Sequence, residues 1–304
     1  MRFGLDIAQQ RVPWSEVASR ARFADELGFD GVWGFDHFQP MYGDGPGECF
    51  EGNTTLAALS GITEHVRLGL LVTGLTYRHP SVFAAEALTI DHASGGRLEL
   101  SYGAAWFEDE HRQLGIPFPV LKDRVDAFEE AVQIVRGLLT TDDFSFEGRH
   151  YTVEHATLNP KPVQQPHPPI WIGGGGEKLT LRVVARHATH SNWGGKPEEW
   201  AHKRDVLREH CADVGRDPDD ITMTWSPEVL IRETEREVVE GGTRSFWGEP
   251  FDSWQAGNLV GTPEQVADRV RAYQDAGVGL LLLQCSPQLE EMERFAETVM
   301  PLVG

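Results

Sequence analysis

Residues 169–177, PIWIGGGGE, carry the decisive pattern of this chain: an apolar run of strand length stops at four glycines and an acid, and a helical pattern follows. The same design recurs at GVWGFDHF (31–38), LGLLVTG (68–74), LELSYGAAW (98–106) and THSNWGG (189–195). Each segment ends abruptly at Gly, Asp, His or Asn. In a closed parallel β/α barrel all such ends lie on one rim, and that rim is where chemistry sits. Residues scattered over 150 positions of sequence then meet in one pocket.

Working outward, strands are expected at 2–6, 31–36, 66–72, 97–103, 170–173, 188–193, 221–227 and 278–284. Helices are expected at 15–27, about 53–63, 81–93, 121–139, from 177, at 197–214, from Pro263 and from Ser286-Pro287. Thr262, Pro263 and Gln265 open one of them with a cap, a proline at the first helical position and a capping glutamine. Near-continuous apolar strands alternating with helices predict an α/β fold, a (β/α)8 TIM barrel with small insertions, as one domain over 1–304. The rival is a doubly wound open sheet, which the even composition along the chain disfavours. Three stretches interrupt the alternation. FSFEGRHYTV (144–153) reads as a hairpin, NPKPVQQPHPP (159–169) as a stiff connector, and the charged run 233–247 as a surface helix.

A formal charge of −20 speaks against nucleic acid or an anionic membrane as partner. It also obliges the protein to supply local positive potential to any anionic cofactor. The chain has no apolar run long enough to span a bilayer, its start shows no signal peptide, and its three cysteines form no disulfide or zinc pattern. A cytoplasmic protein is expected. His187 and His190 are the nearest thing to a metal pair, and ordinary polar roles explain them better, so no metal is expected.

Asp36-His37 is the first candidate constellation, because an acid and an imidazole at a strand end can hold a heterocycle and move a proton near neutral pH. A capping acid and a packed histidine remain the plainer reading of the same pair. Gly173, Gly174, Gly175 and Gly176 open a helix, so their backbone N–H groups suit a phosphate, with Lys178 and Arg182 nearby to offset the negative field. Gly74, Gly103, Ala104, Asn192 and Trp193 offer small or flat surfaces to a planar ring. Glu108, Asp109, Glu110 and His111 follow the fourth strand, either holding a substrate or forming a solvated helix start.

Taken together, ELGFDGVWGFDHF, HVRLGLLVTGLTYRHP, ASGGRLELSYGAAWFEDEHRQLGIPFP, NPKPVQQPHPPIWIGGGGEK and GTPEQVADRVRAYQDAGV resemble the bacterial luciferase-like flavin oxidoreductases. Within them the chain is similar to the branch that uses the deazaflavin coenzyme F420. The resemblance implies a barrel with the ring at its C-terminal rim, Asp36 and His37 at the reactive region and a cis peptide at Leu71-Val72 that bows the ring. It implies the cofactor phosphate at Gly174 to Gly176, with Asn192 and Trp193 beside it. The sugar-phosphate dehydrogenases of this branch carry Trp where this chain has Met41 and Glu where it has Trp106, so a strong catalytic carboxylate is missing.

The expectation is F420-dependent hydride transfer reducing an activated C=C, C=N or C=O of a small organic substrate, with His37 as acid or base and Glu108 behind it. The alternatives are an FMN-dependent monooxygenase using reduced flavin and oxygen, and a non-catalytic flavin or deazaflavin carrier. Trp106, Met41, Trp225 and the insertions 40–52 and 229–260 are expected to line or cover the mouth. A homodimer is what the resemblance implies.

Overall fold

The computed structural model describes residues 1–241, 250–285 and 288–304. Its strands in chain order are β1 (Arg2–Asp6), β2 (Gly31–Gly34), β3 (Arg67–Leu70), β4 (Leu98–Tyr102), β5 (Phe144–Glu147), β6 (Thr152–Ala156), β7 (Ile170–Gly173), β8 (His190–Asn192), β9 (Thr222–Trp225), β10 (Glu228–Ile231), β11 (Leu259–Gly261) and β12 (Leu280–Cys285). β1-β2-β3-β4-β7-β8-β9-β12 pair in parallel, and β12 returns to β1 to close the barrel. This is the (β/α)8 architecture, reached because strands covered on both faces need no polar alternation. VWG, LGL and LLLL are buried without a break.

Helices shield the outside of the barrel. The helix Leu121–Thr140 lays Val125, Phe128, Val132 and Val135 against the strands, and Pro80–Ala93 and Pro263–Ala276 do the same with Ala84, Leu88, Val266 and Val270. Thr262 Oγ1 accepts from Gln265 N and the glutamine side chain returns to the cap, which starts that helix where its sequence signature stands. Inside the barrel, Trp33, Trp171, Leu280 and Leu282 form a plug, with the two indoles 5.3 Å apart. Trp171 Nε1 donates to Glu99 Oε2 at 2.5 Å, and Arg67 pairs with the same carboxylate. Burial pushes the Glu99 carboxyl up and Arg67 opposes it. A plugged interior leaves the rim as the place for a ligand.

The additions to the barrel differ in part from expectation. β5 and β6 form the antiparallel hairpin, with its second strand running on to Ala156. β10 pairs with β12 beyond the barrel and β11 pairs with β10, extending the wall on the rim side. These strands have four and three residues, too short for a period to register in sequence. The helix expected from 177 begins at Thr180, because the glycine turn offers no side chain to the core until Leu181. Of the charged run, Glu235–Gly241 is helical, while 242–247 lie outside the described residues. The helix expected from Ser286-Pro287 is Gln288–Thr298, a one-turn helix Met300–Val303 follows it, and Ser286-Pro287 likewise lie outside the described residues. No helix is long and apolar enough to cross a membrane.

Candidate active site

The polypeptide leaving β2 is held straight by a side chain. Gln9 Nε2 donates to Phe35 O at 2.5 Å and Phe35 N donates to Gln9 Oε1 at 3.2 Å, an amide that continues the ladder one residue past the strand. Asp36 and His37 follow, both nearly inaccessible. Asp36 uses its two oxygens on Arg78, at 2.6 and 3.0 Å, and accepts the Gly74 N–H at 2.8 Å. Burial raises the Asp36 carboxyl, while Arg78 and the Gly74 N–H hold it back. Arg78 in turn pairs with Glu51 and Glu86. Asp36 thus ties the end of β2 to the loop after β3.

His37 has a different partner. Its Nδ1 lies 3.1 Å from Glu110 Oε2, and Glu110 Oε1 accepts from Phe38 N and Gln39 N at 2.7 and 2.8 Å. Tyr77 Oη donates to the same carboxylate. Burial alone would raise Glu110, but the hydrogen bonds from His37, Tyr77 and Phe38 N outweigh it and hold the carboxyl below its ordinary 4.5. Its contribution to stability is therefore complete above pH 4.5 and drains away as pH falls through the lower native value. An ionised Glu110 only accepts, so His37 Nδ1 is the donor in this contact. The rings of Phe35, Trp106 and Phe107 stand 5.6–5.9 Å from the imidazole and keep it in an apolar collar.

Reading the sequence named Glu110 only as one of the run after the fourth strand and put Glu108 ahead of it. The structure leaves Glu108 exposed, and the acid in contact with His37 is Glu110, fully buried two positions on. A signal for it existed. Glu110 and His111 stand three and four residues after Phe107, the inward face of the short helix Glu108–Leu114. His111 lies stacked on Tyr77 and bonded to Thr76 and Phe107 O, so it props the same wall.

Two adjoining cavities open at this rim. The first, about 420 Å3, brings together Asp36, His37, Leu71, Val72, Gly103, Ala104, Gly173, Gly174 and Asn192, all singled out from sequence. The Leu71–Val72 peptide is cis. Part of the wall is bare backbone: a Cβ on Gly103 would stand 2.5 Å from Val72 Cγ2. Gly174 adopts φ +114°, a conformation open to glycine. Gly175 and Gly176 continue the turn outside this cavity. Trp193 is buried, stacks on Trp200 at 4.9 Å and backs the turn from beneath without lining the cavity. Lys178 and Arg182 are exposed. The cation that meets the turn is Lys203 from the helix Pro197–Val214, whose Nζ lies 2.7 Å from where a Cβ on Gly175 would be.

The second cavity, about 680 Å3, shares His37, Leu71, Trp106 and Asn192 with the first and adds Met41, Trp225 and residues after β9 and β12. His187 and His190 do not converge: the first leans on Glu129 at 3.4 Å and the second stacks on Trp171 at 4.5 Å.

The chain is similar to known proteins along nearly its whole length. The FMNH2-dependent dimethylsulfone monooxygenase of Pseudomonas putida is 28% identical over 97% of this chain and 90% of its own length. The F420-dependent glucose-6-phosphate dehydrogenase of Microbacterium testaceum is 27% identical over 99% of this chain and 97% of its own. A solved F420-dependent secondary alcohol dehydrogenase, bound to an F420–acetone adduct, superposes with TM-score 0.87 over 100% of this chain and 99% of its own, at 20% identity, a likeness of fold. Residues 1–253 of the 304 match one family description throughout, and the chain belongs to the luciferase-like monooxygenase family, a superfamily of oxidoreductases with an F420-dependent branch.

Proposed function

We propose that this protein is an F420-dependent oxidoreductase that passes hydride between the deazaflavin and a small organic substrate, reducing an activated C=C, C=N or C=O. The observation that carries the reading is the His37–Glu110 pair. Among the described residues His37 Nε2 has no hydrogen-bond partner, and His37 lines both cavities. A proton-transfer group at that junction is what hydride chemistry needs on its substrate side.

The residues fit the group. Gly103, Ala104 and Gly173 present a low backbone wall for a planar ring, and the turn at Gly174 with Lys203 nearby offers amides and a cation to a phosphate. The chemistry such a ring supplies when bound is two-electron hydride transfer. The chain's own residues do the rest. Trp106 and Leu71, shared by both cavities, give the junction apolar surfaces. With a carbonyl substrate, His37 Nε2 would hold the proton that the substrate oxygen receives. Glu110 stabilises that charged imidazolium and fixes its tilt.

Titration of the protein with F420 and with FMN tests the cofactor, with oxygen uptake on reduced FMN as the control. Tighter binding of F420, with turnover and no oxygen uptake, is expected. FMN preference with oxygen consumption would make it a flavin monooxygenase, and cofactor retention without turnover of any acceptor would make it a carrier. Two variants probe the parts. Gly174→Ala forces a side chain into the φ +114° region and is expected to weaken F420 binding roughly tenfold, read by fluorescence titration. Unchanged affinity removes the turn from the cofactor site. Glu110→Gln is expected to lower kcat roughly 100-fold with KM within about twofold, because the amide loses the charge facing His37. A matching rise in KM would assign Glu110 a substrate-binding role instead.

A further inference from the structure

The larger cavity has a lopsided charge. Asp6, Glu199 and Glu228 stand on its wall, faced by Lys196 and by His37 at the junction. Two of the three acids are engaged: Glu199 Oε2 accepts the Lys196 backbone N–H at 3.2 Å, and Glu228 Oε2 accepts Trp254 Nε1–H at 2.9 Å. Asp6, at the rim end of β1, accepts the Ala8 N–H at 2.9 Å. Among the described residues no Lys, Arg or His forms an ion pair with it. Arg20 acts on it only from a distance, because its guanidinium is given to Glu16 and to the carbonyls of Ile7 and Ala8.

The rest of the compartment is aromatic and amphiphilic. Phe35, Trp106 and Trp225 supply ring faces, and Asn192, Ser226 and Gln284 supply small polar groups. Indole faces accept ammonium groups and flat apolar bodies equally well.

We propose that this compartment takes an uncharged or cationic, hydroxyl- or amine-bearing molecule that donates a hydrogen bond to Asp6, and that it turns away anions, sugar phosphates included. The inference rests on the functional reading above and names its substrate class. Its physical basis is the cost of bringing a second negative charge beside Asp6, which has no ion pair among the described residues, inside a chain of net charge −20. Burial pushes the Asp6 carboxyl up to about 6 against the Ala8 N–H and the Arg20 charge, so it is largely ionised at neutral pH while gaining little from its neighbours. The departure from the sugar-phosphate dehydrogenases at Met41 and Trp106 falls on this same wall.

Three ketones of matched shape test it: 4-(hydroxymethyl)acetophenone, 4-(aminomethyl)acetophenone and 4-acetylbenzoate, measured by calorimetry on the full chain at neutral pH. The hydroxymethyl and aminomethyl compounds are expected to bind at least about tenfold more tightly than the carboxylate. Asp6→Asn is expected to reduce the preference for the aminomethyl compound over the carboxylate to less than about threefold. Should that variant fail to fold, the wild-type preference is measured from about 50 mM to about 500 mM salt, where it must shrink. A carboxylate that binds as well as its partners, a preference unmoved by Asp6→Asn or by salt, or no binding of any of the three overturns the proposal. Titrating the same samples with F420 and FMN separates the two readings. Intact cofactor affinity with no discrimination by charge counts against Asp6 alone, whereas no affinity for either cofactor counts against the function.

Discussion

Replacing His37 by alanine is expected to lower turnover by about 10²–10⁴-fold while leaving the F420 dissociation constant within about twofold. The imidazole is nearly buried, its Nδ1 is engaged by Glu110, and the residue lines both cavities. Removing it takes away the proton and little else, because the wall of the first cavity includes the bare backbone of Gly103 and Gly173. The sharper form of the test is the double variant. Glu110 acts through His37, so Glu110→Gln added to His37→Ala is expected to cost less than about threefold more. Full turnover in His37→Ala removes the proton-transfer role, and independent, multiplying losses remove the pairing.

Arg78→Met is expected to destabilise the fold by about 3–5 kcal/mol, read by denaturant unfolding. The Arg78 guanidinium is nearly inaccessible and answers three carboxylates, of which Asp36 has no exposed side-chain surface. Methionine keeps the aliphatic bulk and leaves Asp36 facing Glu51 and Glu86 without a cation. The loss has a pH signature. Burial already raises the Asp36 carboxyl with Arg78 present, and without it the native value climbs further. An acid with a raised native value binds more protons folded than unfolded, so stability falls as pH rises through that window. The deficit of Arg78→Met is therefore expected to be larger at pH 8 than at pH 5. A deficit that is flat in pH would show that packing, not an uncompensated charge, is what Arg78 supplies.

Legibility followed the range of the interactions. The barrel strands were readable because burial on both faces writes itself into consecutive residues, as in VWG after Gly31 and LLLL before Gln284. Asp36, His37 and the glycine turn were readable for a related reason: a polar or glycine residue at the end of such a run has few structural explanations. Glu110 was not, because its run EDEH looks like an ordinary charged helix start and its partner is 73 residues away. Lys203 went unseen on the same ground. It comes to the turn from a different helix, while the nearby Lys178 and Arg182 are exposed.

Periodicity and abrupt strand ends were thus enough to specify a parallel barrel and to say which rim gathers the polar and glycine residues, since both depend on residues adjacent along the chain. Which acid orients His37, which cation answers Asp36, and which carboxylate in the second cavity has no ion pair among the described residues were settled only when the barrel closed. Those pairings join distant strands and helices, and their strength comes from a burial that no single segment possesses until the others cover it.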